Sequence, residues 1–253
     1  MQRITMSRLV ASLASLALLA ACADGTGIGE RQSVSLSVST AGSSSTDGSS
    51  VGGGLGLVIG GEDGPLVITR AQIVLREIDL ESPDFVCGAG DDSVRHGDGD
   101  DCEIELGPTL VDLPLGGELA SVVSVDVPEG LYDEIEFELH KPDDDTQADI
   151  EFLAAHPSFR RVSLRVEGTF EGEPFVFTSD VNEDLELDFG SPLVVDATGV
   201  NITVDIGLAA WFQAPGGGVL RPSDANADLI ETNIRGSFRA FEDDDRDGHD
   251  DHS

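Results

Sequence analysis

The sequence is poor in basic residues and in aromatic residues. Lysine and arginine number 14 against 49 aspartates and glutamates, so the formal net charge is −35 over 253 residues. A chain with this charge repels nucleic-acid phosphates and anionic lipid headgroups, and we expect no nucleic-acid partner. Aromatic residues make up only 5% of the chain, which leaves few flat surfaces on which a sugar could stack.

Motifs of common enzyme classes are missing as well. The chain has no H-E-x-x-H, no P-loop, no G-x-G-x-x-G after a strand and no serine elbow between a strand and a helix. His140 and His156 could each assist chemistry beside an acid, but acids are so numerous that such proximity means little. We expect no catalysis, and keep a hydrolase with paired carboxylates as a distant alternative.

No apolar run is long enough to cross a bilayer, which takes about 20 residues. The best candidate, Leu9–Leu19, follows two arginines and leads into Leu19-Ala20-Ala21-Cys22. This order is typical of a secretory signal, and its last four residues resemble the lipobox of bacterial lipoproteins. We predict a signal peptide over 1–21 and lipidation of Cys22. A core helix that ends in cysteine and an ordinary cleavage site are the alternatives.

The lipobox resemblance implies a location and a partner. Lipoproteins carry two or three acyl chains, and each buried CH₂ contributes about 0.8 kcal/mol, so the membrane would hold the protein through its lipid. Ala23 follows the cysteine. Lipoproteins retained in a Gram-negative inner membrane have aspartate at this position, so alanine favours the outer membrane. Residues 22–31 would then form a lipidated tether in the cell envelope.

Cys87 and Cys102 remain once Cys22 is assigned to lipid. Outside the cytoplasm, an even number of remaining cysteines is most simply explained by a disulfide bond. It would close a polar Gly/Asp-rich loop and stabilise the fold by about 3 kcal/mol in the chain-entropy model. A metal site that uses both thiols and His96 is the alternative, although the spacing matches no zinc pattern.

From about residue 66 onward, polar and apolar residues alternate in short runs. In the run 131–139 the apolar residues share one face and the glutamates share the other, and runs at 162–167, 184–189 and 200–206 follow the same pattern. A period of two with one polar face is typical of antiparallel strands. We therefore predict an all-β fold, an antiparallel β-sandwich of Ig-like or transthyretin-like type.

Other segments mark the limits of this sandwich domain, which we place at 32–241. A Gly/Ser-rich stretch at 41–54 is expected to be a flexible insertion. Between about 224 and 241 apolar residues recur every three to four positions, which predicts one C-terminal amphipathic helix packed on the sandwich. Residues 242–253 are expected to form a disordered acidic tail.

Three segments of the β-rich region carry a family resemblance. Ile68–Leu75 reads as a strand, Val125–Ile135 as a strand, a Pro/Gly turn, Tyr and a second strand, and Leu185–Phe189 with Val194-Val195 as an acidic strand pair. These patterns resemble bacterial lipoproteins that carry an all-β domain of unknown function. The resemblance implies a surface or periplasmic β-domain and brings no catalytic residues with it.

The C-terminal run has the spacing of a calcium loop. It matches D-x-D-x-D-G, in which alternate oxygen ligands face one hard cation and glycine permits a sharp turn. The candidate ligands are Asp243, Asp245, Asp247, the backbone carbonyl of His249, and Asp251. The twelfth position of such a loop lies beyond Ser253. Weak Ca²⁺ binding and a solvated acidic tail without metal are both open.

These features predict a function without catalysis. We expect a lipid-anchored, monomeric β-sandwich at the cell envelope with a structural or binding role, and no certain cofactor. A calcium-dependent adhesion or polysaccharide-binding module is the first alternative, and an envelope hydrolase is a distant one. Trp211-Phe212 is the one aromatic pair that could stack on a glycan; its other interpretation is packing in the core. The sequence does not identify a protein or glycan partner.

Overall fold

The computed structural model describes residues 31–40, 48–50, 56–60, 65–83, 101–104 and 106–252. Strands dominate these residues, and they are β1 (Arg31–Ser39), β2 (Gly48–Ser50), β3 (Leu57–Ile59), β4 (Leu66–Glu81), β5 (Asp101–Ile104), β6 (Thr109–Asp112), β7 (Ala120–Pro128), β8 (Gly130–Leu139), β9 (Leu164–Phe170), β10 (Glu173–Ser179), β11 (Glu183–Val195), β12 (Val200–Ile206) and β13 (Phe238–Glu242). Three α-helices accompany them, α1 (Gln147–Ala155), α2 (Leu208–Trp211) and α3 (Ala227–Arg235). The prediction of an all-β, sandwich-like fold is confirmed.

The strands form two sheets. Sheet A has the order β13-β12-β1-β7, in which β1 runs parallel to β12 and antiparallel to β7. Sheet B is built around β4, which pairs with β8 and β9 and also with β3, β5 and β6. Strand β11 extends the sheet beyond β8, and β10 extends it beyond β9. Strand β1 is thus an interior strand of sheet A.

The apolar faces of the two sheets face each other. Phe137 of sheet B and Phe238 of sheet A meet edge to face, with ring centroids 5.7 Å apart. A small void between the sheets is lined only by apolar side chains, namely Leu36, Val38, Ile73, Leu75, Phe137, Val204, Ile206 and Phe238. The alternating residues of the sequence therefore fill one core between two layers.

Strand β4 changes register twice along its length. Between Ile68 and Arg70 it slips against β9, and at the opposing Gly168 an added Cβ would clash with the carbonyl oxygen of Val67. Between Arg76 and Ile78 it slips against β8, and Glu77 takes a positive φ of 55°. Such bulges redirect neighbouring side chains, and the second one lies beside the buried ion pair of Arg76 described below.

The connection between β8 and β9 contains a helix that the strand periodicity did not predict. The chain leaves sheet B where the His140 N–H donates to the Val74 carbonyl, 3.0 Å away, and returns where the Val74 N–H donates to Ser163, 2.8 Å away. Between these points lies α1, whose Asp149 N–H donates to the side chain of Thr146 at the N-cap. Its buried apolar residues pack on Val74 in a small cluster separate from the main core.

The predicted C-terminal helix is shorter than expected. Instead of one helix over 224–241, the chain forms a 3₁₀ turn at Asp224–Asn226, then α3, and then β13 antiparallel to β12. Gly236 ends α3 as its C-cap. Phe238 and Ala240 are buried while Arg239 between them is exposed, so the period changes to two after the glycine, where the edge of β12 offers backbone partners.

Parts of other predicted segments lie outside the described residues. The signal peptide at 1–21 does, and so does the tether at 22–31 except Arg31, with which β1 begins. Of the predicted flexible insertion at 41–54, the described part is Gly48–Ser50, which forms β2 and pairs with β3.

Candidate cation-binding site

The C-terminal residues 243–252 form a hydrogen-bonded loop over the outer face of sheet A, so the expectation of a disordered tail is wrong. Asp243 is 0% exposed, and its N–H donates to the Asn201 carbonyl at 2.9 Å. The Arg246 guanidinium donates to the Ser35 hydroxyl at 3.1 Å. The tail is ordered because β13 carries the chain beside β12, whose outward-facing polar side chains offer hydrogen-bond partners.

Three of the five predicted ligands come together in this loop. Carboxylate oxygens of Asp243, Asp245 and Asp247 all lie within 4.8 Å of one another. Calcium binds oxygen at 2.3–2.6 Å, so two oxygens on one ion lie at most about 5 Å apart. The three carboxylates therefore have a spacing that one Ca²⁺ ion can bridge.

The Asp243 carboxylate is held in place by its neighbours. Its Oδ2 accepts hydrogen bonds from the Thr203 hydroxyl at 2.7 Å and from the Gly248 N–H at 3.1 Å. Its Oδ1 accepts one from the Asp247 N–H at 2.9 Å. The chain turns through positive φ at Arg246 (58°) and at Gly248 (83°), which is the conformation that the glycine of the motif allows.

The side chains of the other two predicted ligand residues lie elsewhere. Oδ2 of Asp251 accepts a hydrogen bond from the Asp244 N–H at 2.7 Å, so this carboxylate closes the loop and does not join the three-carboxylate cluster. His249 donates its backbone N–H to Asp247 at 2.9 Å. The neighbouring imidazole of His252 is bound by Glu242, whose carboxylate raises the pKa of that histidine.

The outer face of sheet B carries a second acidic surface. In two successive rows, acidic residues of β4, β8 and β11 pair directly across the sheet, and these rows are Asp79–Glu136–Glu186 and Glu81–Glu134–Asp188. Like charges directly opposite each other in neighbouring strands repel. Burial, together with the charges of these neighbours, raises the pKa of Glu134 to about 7. The face therefore retains a proton on Glu134 close to neutral pH.

Sequence reasoning did not identify a buried polar cluster around His140, which we call the His140 cluster. Its members are Arg76, Glu138, His140 and Asp149. Nδ1 of His140 lies 3.3 Å from Glu138 Oε1, and Nε2 lies 2.7 Å from Asp149 Oδ1. Arg76 Nη2 lies 2.6 Å from Glu138 Oε2. Only the adjacency of a strand-end histidine to an acidic strand was visible in the sequence.

The ionisation of the His140 cluster follows from its contacts. Burial by itself would lower the pKa of His140, but the hydrogen bonds with Glu138 and Asp149 outweigh it, and the net shift is upward. Burial likewise opposes ionisation of Glu138, yet the hydrogen bond with His140 and the charge of Arg76 hold its pKa below the usual range. Glu138, His140 and Asp149 are buried, and the partly exposed Arg76 joins them while also pairing with Glu77 at 3.0 Å. His156, the other histidine considered, lies apart and packs on Phe152 with ring centroids 4.8 Å apart.

Trp211-Phe212 belongs to the core, so its interpretation as a glycan platform is wrong. Both residues are 0% exposed. The Trp211 indole N–H donates to the Ser237 hydroxyl at 2.7 Å, and Phe212 meets Phe177 edge to face. Asn233 of α3 also donates to the Trp211 carbonyl at 3.1 Å, and the sequence pattern did not reveal that α3 lies against the pair.

The predicted lipidation and disulfide sites lie mostly outside the described residues. Cys22 and Cys87 lie outside them, and of Cys102 the structure gives the backbone, which pairs with Leu80. The disulfide and the lipidation stay predictions. Among the described residues, no helix is both long enough and apolar enough to cross a bilayer.

Comparisons with known proteins leave the family of this chain open. The resemblance to lipoproteins with an all-β domain rests on short strand patterns, and it stays a prediction. No protein-family model, curated protein or solved structure matches the chain.

Proposed function

We propose that the protein is a lipid-anchored β-sandwich of the cell envelope with a structural or binding role and no catalytic activity. The observation that carries this proposal is the sequence Leu19-Ala20-Ala21-Cys22, followed after a short tether by β1 at Arg31. With so short a tether, the lipid would hold the sandwich close to the membrane surface. The acidic faces would keep the domain soluble and repel anionic headgroups.

The absence of catalysis is supported by the state of the histidine best placed for it. His140 is 4% exposed, and carboxylates occupy both of its ring nitrogens. A general base needs a free nitrogen within hydrogen-bond reach of the substrate proton. Since both nitrogens are engaged inside the protein, His140 serves the fold.

Replacing the lipidated cysteine tests the anchor. In cells that make Cys22→Ser, we expect the protein to leave the membrane fraction and to lose incorporation of a fatty-acid label, because the acyl chains have no attachment point. Membrane fractionation with immunoblotting measures the first effect and labelling with an alkyne fatty acid the second. Cys102→Ser is the matched control and should stay membrane-bound. Retention of Cys22→Ser in the membrane fraction at the level of this control would show that the anchor is misassigned.

A calcium-dependent binding module is the second candidate, and one observation favours it. The carboxylates of Asp243, Asp245 and Asp247 converge within 4.8 Å, and hydrogen bonds from Thr203 and Gly248 hold the Asp243 carboxylate in place. The side chains of Asp245 and Asp247 are exposed, so an ion can reach the loop. We expect weak binding, in the ~10⁻⁴–10⁻³ M range of extracellular modules, because fewer carboxylates face the ion than in a complete loop.

Neutralising the two exposed carboxylates tests this candidate. For Asp245→Asn/Asp247→Asn we expect the apparent Ca²⁺ affinity measured by calorimetry to fall about tenfold or more, since the number of ligand charges sets affinity in such loops. The wild-type thermal midpoint should rise with Ca²⁺ and that of the variant should not. Asp250→Asn, in the same loop but outside the cluster, should bind like wild type. Equal Ca²⁺ responses in all three proteins would assign the binding to general acidity and overturn the site.

A further inference from the structure

Two groups of contacts hold residues 141–162, which we call the α1 insertion, on sheet B. The first is the small apolar cluster of Val74, Phe152, Leu153 and Phe159. The second is the hydrogen bond between His140 at the end of β8 and Asp149 in the first turn of α1. A helix of nine residues is marginal by itself in water, so these contacts decide whether α1 stays formed and docked.

The second contact is strongest when both nitrogens of His140 carry a proton. Glu138 and Asp149 are carboxylates, and an ionised carboxylate only accepts hydrogen bonds. A neutral imidazole has one N–H and can satisfy one of the two, whereas an imidazolium donates to both. With both carboxylates ionised, only the charged histidine donates in both contacts, at 3.3 Å and 2.7 Å.

The groups around His140 balance its charge. Glu138 lies on the same strand, Asp149 faces it from α1, and Arg76 approaches Glu138 from β4. Asn182 adds a neutral hydrogen bond to Glu138 at 3.0 Å. Arg76 also pairs with Glu77 at 3.0 Å on its more exposed side. With His140 charged, its ring therefore faces the two buried carboxylates of Glu138 and Asp149. Loss of its proton leaves an extra negative charge and one carboxylate without its donor, which is costly where water is excluded.

We propose that His140 is a pH-dependent latch that holds the α1 insertion most tightly on the outer face of sheet B while its imidazole is charged and loosens it when the proton is lost. The insertion opens as a local unit because its apolar contacts form a cluster of their own. The two sheets keep their common core and stay folded. The Val74 side chain, which is covered while the insertion is docked, and the acidic face beside it then become accessible.

The direction of the pH dependence follows from the shift of His140. Its pKa in the folded protein lies above the ordinary value of 6.5, so the latch contributes its full stability below about pH 6.5 and loses it as the pH rises through the folded value. Glu138, with a lowered pKa, stays ionised below its ordinary value of 4.5 and limits the latch only at more acidic pH. The latch is therefore tightest in the mildly acidic range and loosens as the pH rises from 6.5 through the folded pKa.

Hydrogen exchange of the intact protein, read by mass spectrometry, tests the latch. Between about pH 6 and about pH 9, after correction for intrinsic exchange, protection of peptides from 141–162 should fall by up to about tenfold for each unit of pH between the ordinary value of 6.5 and the folded pKa, and should level off above the folded pKa. Peptides from β12 should keep their protection. In His140→Gln, which carries no titrating ring, the insertion should be weakly protected at every pH.

The neighbouring histidine of the insertion provides the matched control. His156→Gln removes a ring that contacts Phe152 but no member of the His140 cluster, so its pH profile should follow wild type. A wild-type profile that persists in His140→Gln, or one that disappears in His156→Gln, would overturn the proposal. If His140→Gln does not fold, NMR titration of the wild-type imidazoles replaces it. The α1 amide signals should then shift with the same midpoint as His140, and titration of His140 without any response in α1 would also overturn it.

Discussion

Replacing Phe137 with alanine is expected to destabilise the fold by about 3–5 kcal/mol, the usual cost of emptying a buried aromatic site. Phe137 is 2% exposed and lies where the two sheets meet. Its ring packs on Phe238, and both line the same apolar void. The truncation enlarges a space that rigid strands on either side cannot collapse to fill.

Urea denaturation followed by tryptophan fluorescence measures this change, because Trp211 is buried in the same core. Val176→Ala is the control, since Val176 is among the exposed apolar residues and its truncation should cost less than about 0.5 kcal/mol. A loss below about 1 kcal/mol for Phe137→Ala would mean that the sheets do not pack through this residue.

Glu138→Ala is the second large expected effect, again about 3–5 kcal/mol near neutral pH, because removing one partner of a buried ion pair leaves the others uncompensated. Glu138 contacts Arg76, His140 and Asn182. Without its carboxylate, Arg76 retains only Glu77, and His140 retains only Asp149, as a charged partner among the described residues. Thermal and urea unfolding at constant pH measure the loss.

An acid on the neighbouring strand separates this effect from a general response to charge removal. Glu186 of β11 is exposed and pairs with Glu136 in an all-acidic row, so Glu186→Ala should change stability by less than about 0.5 kcal/mol or raise it slightly. Replacing Arg76, Glu138, His140 and Asp149 together by apolar residues of similar volume should recover most of the stability that Glu138→Ala loses. Equal losses for Glu138→Ala and Glu186→Ala would show that the His140 cluster does not stabilise the fold.

The sheet architecture was predictable because strands with one apolar face each can bury that face only when their sheets pack in layers. The alternating run at 131–139 became β8, and the run at 200–206 became β12. Each strand buries its apolar residues against the opposite sheet, so a pattern of period two is sufficient to find it. Pairing partners were not predictable in this way, since β1 lies between β12 and β7, both distant in the chain.

The helices were predicted less well, for two physical reasons. Within α1 the buried apolar residues are only Phe152 and Leu153, so its stability depends on contacts with sheet B that leave almost no periodic signal. At the C-terminus, Ile234 and Phe238 are four residues apart, a spacing that fits one helix face. The open edge of β12 took Phe238 into a strand, since backbone hydrogen bonds to a sheet edge outweigh a weak helical preference.

Local sequence was sufficient for features that depend on neighbouring residues: the strand periods, the lipobox resemblance around Cys22, and the spacing of Asp243, Asp245 and Asp247. The tertiary structure added what depends on residues far apart. Thr203 orients Asp243 across 40 positions, and Arg76 of β4 meets Glu138 of β8. The outer face of β12, which its alternation marks as polar and wet, is covered by the C-terminal loop. The register of the strands and the path of the chain bring these polar groups together. Because the groups are buried, their hydrogen bonds and charge interactions are stronger than in water, which would screen them.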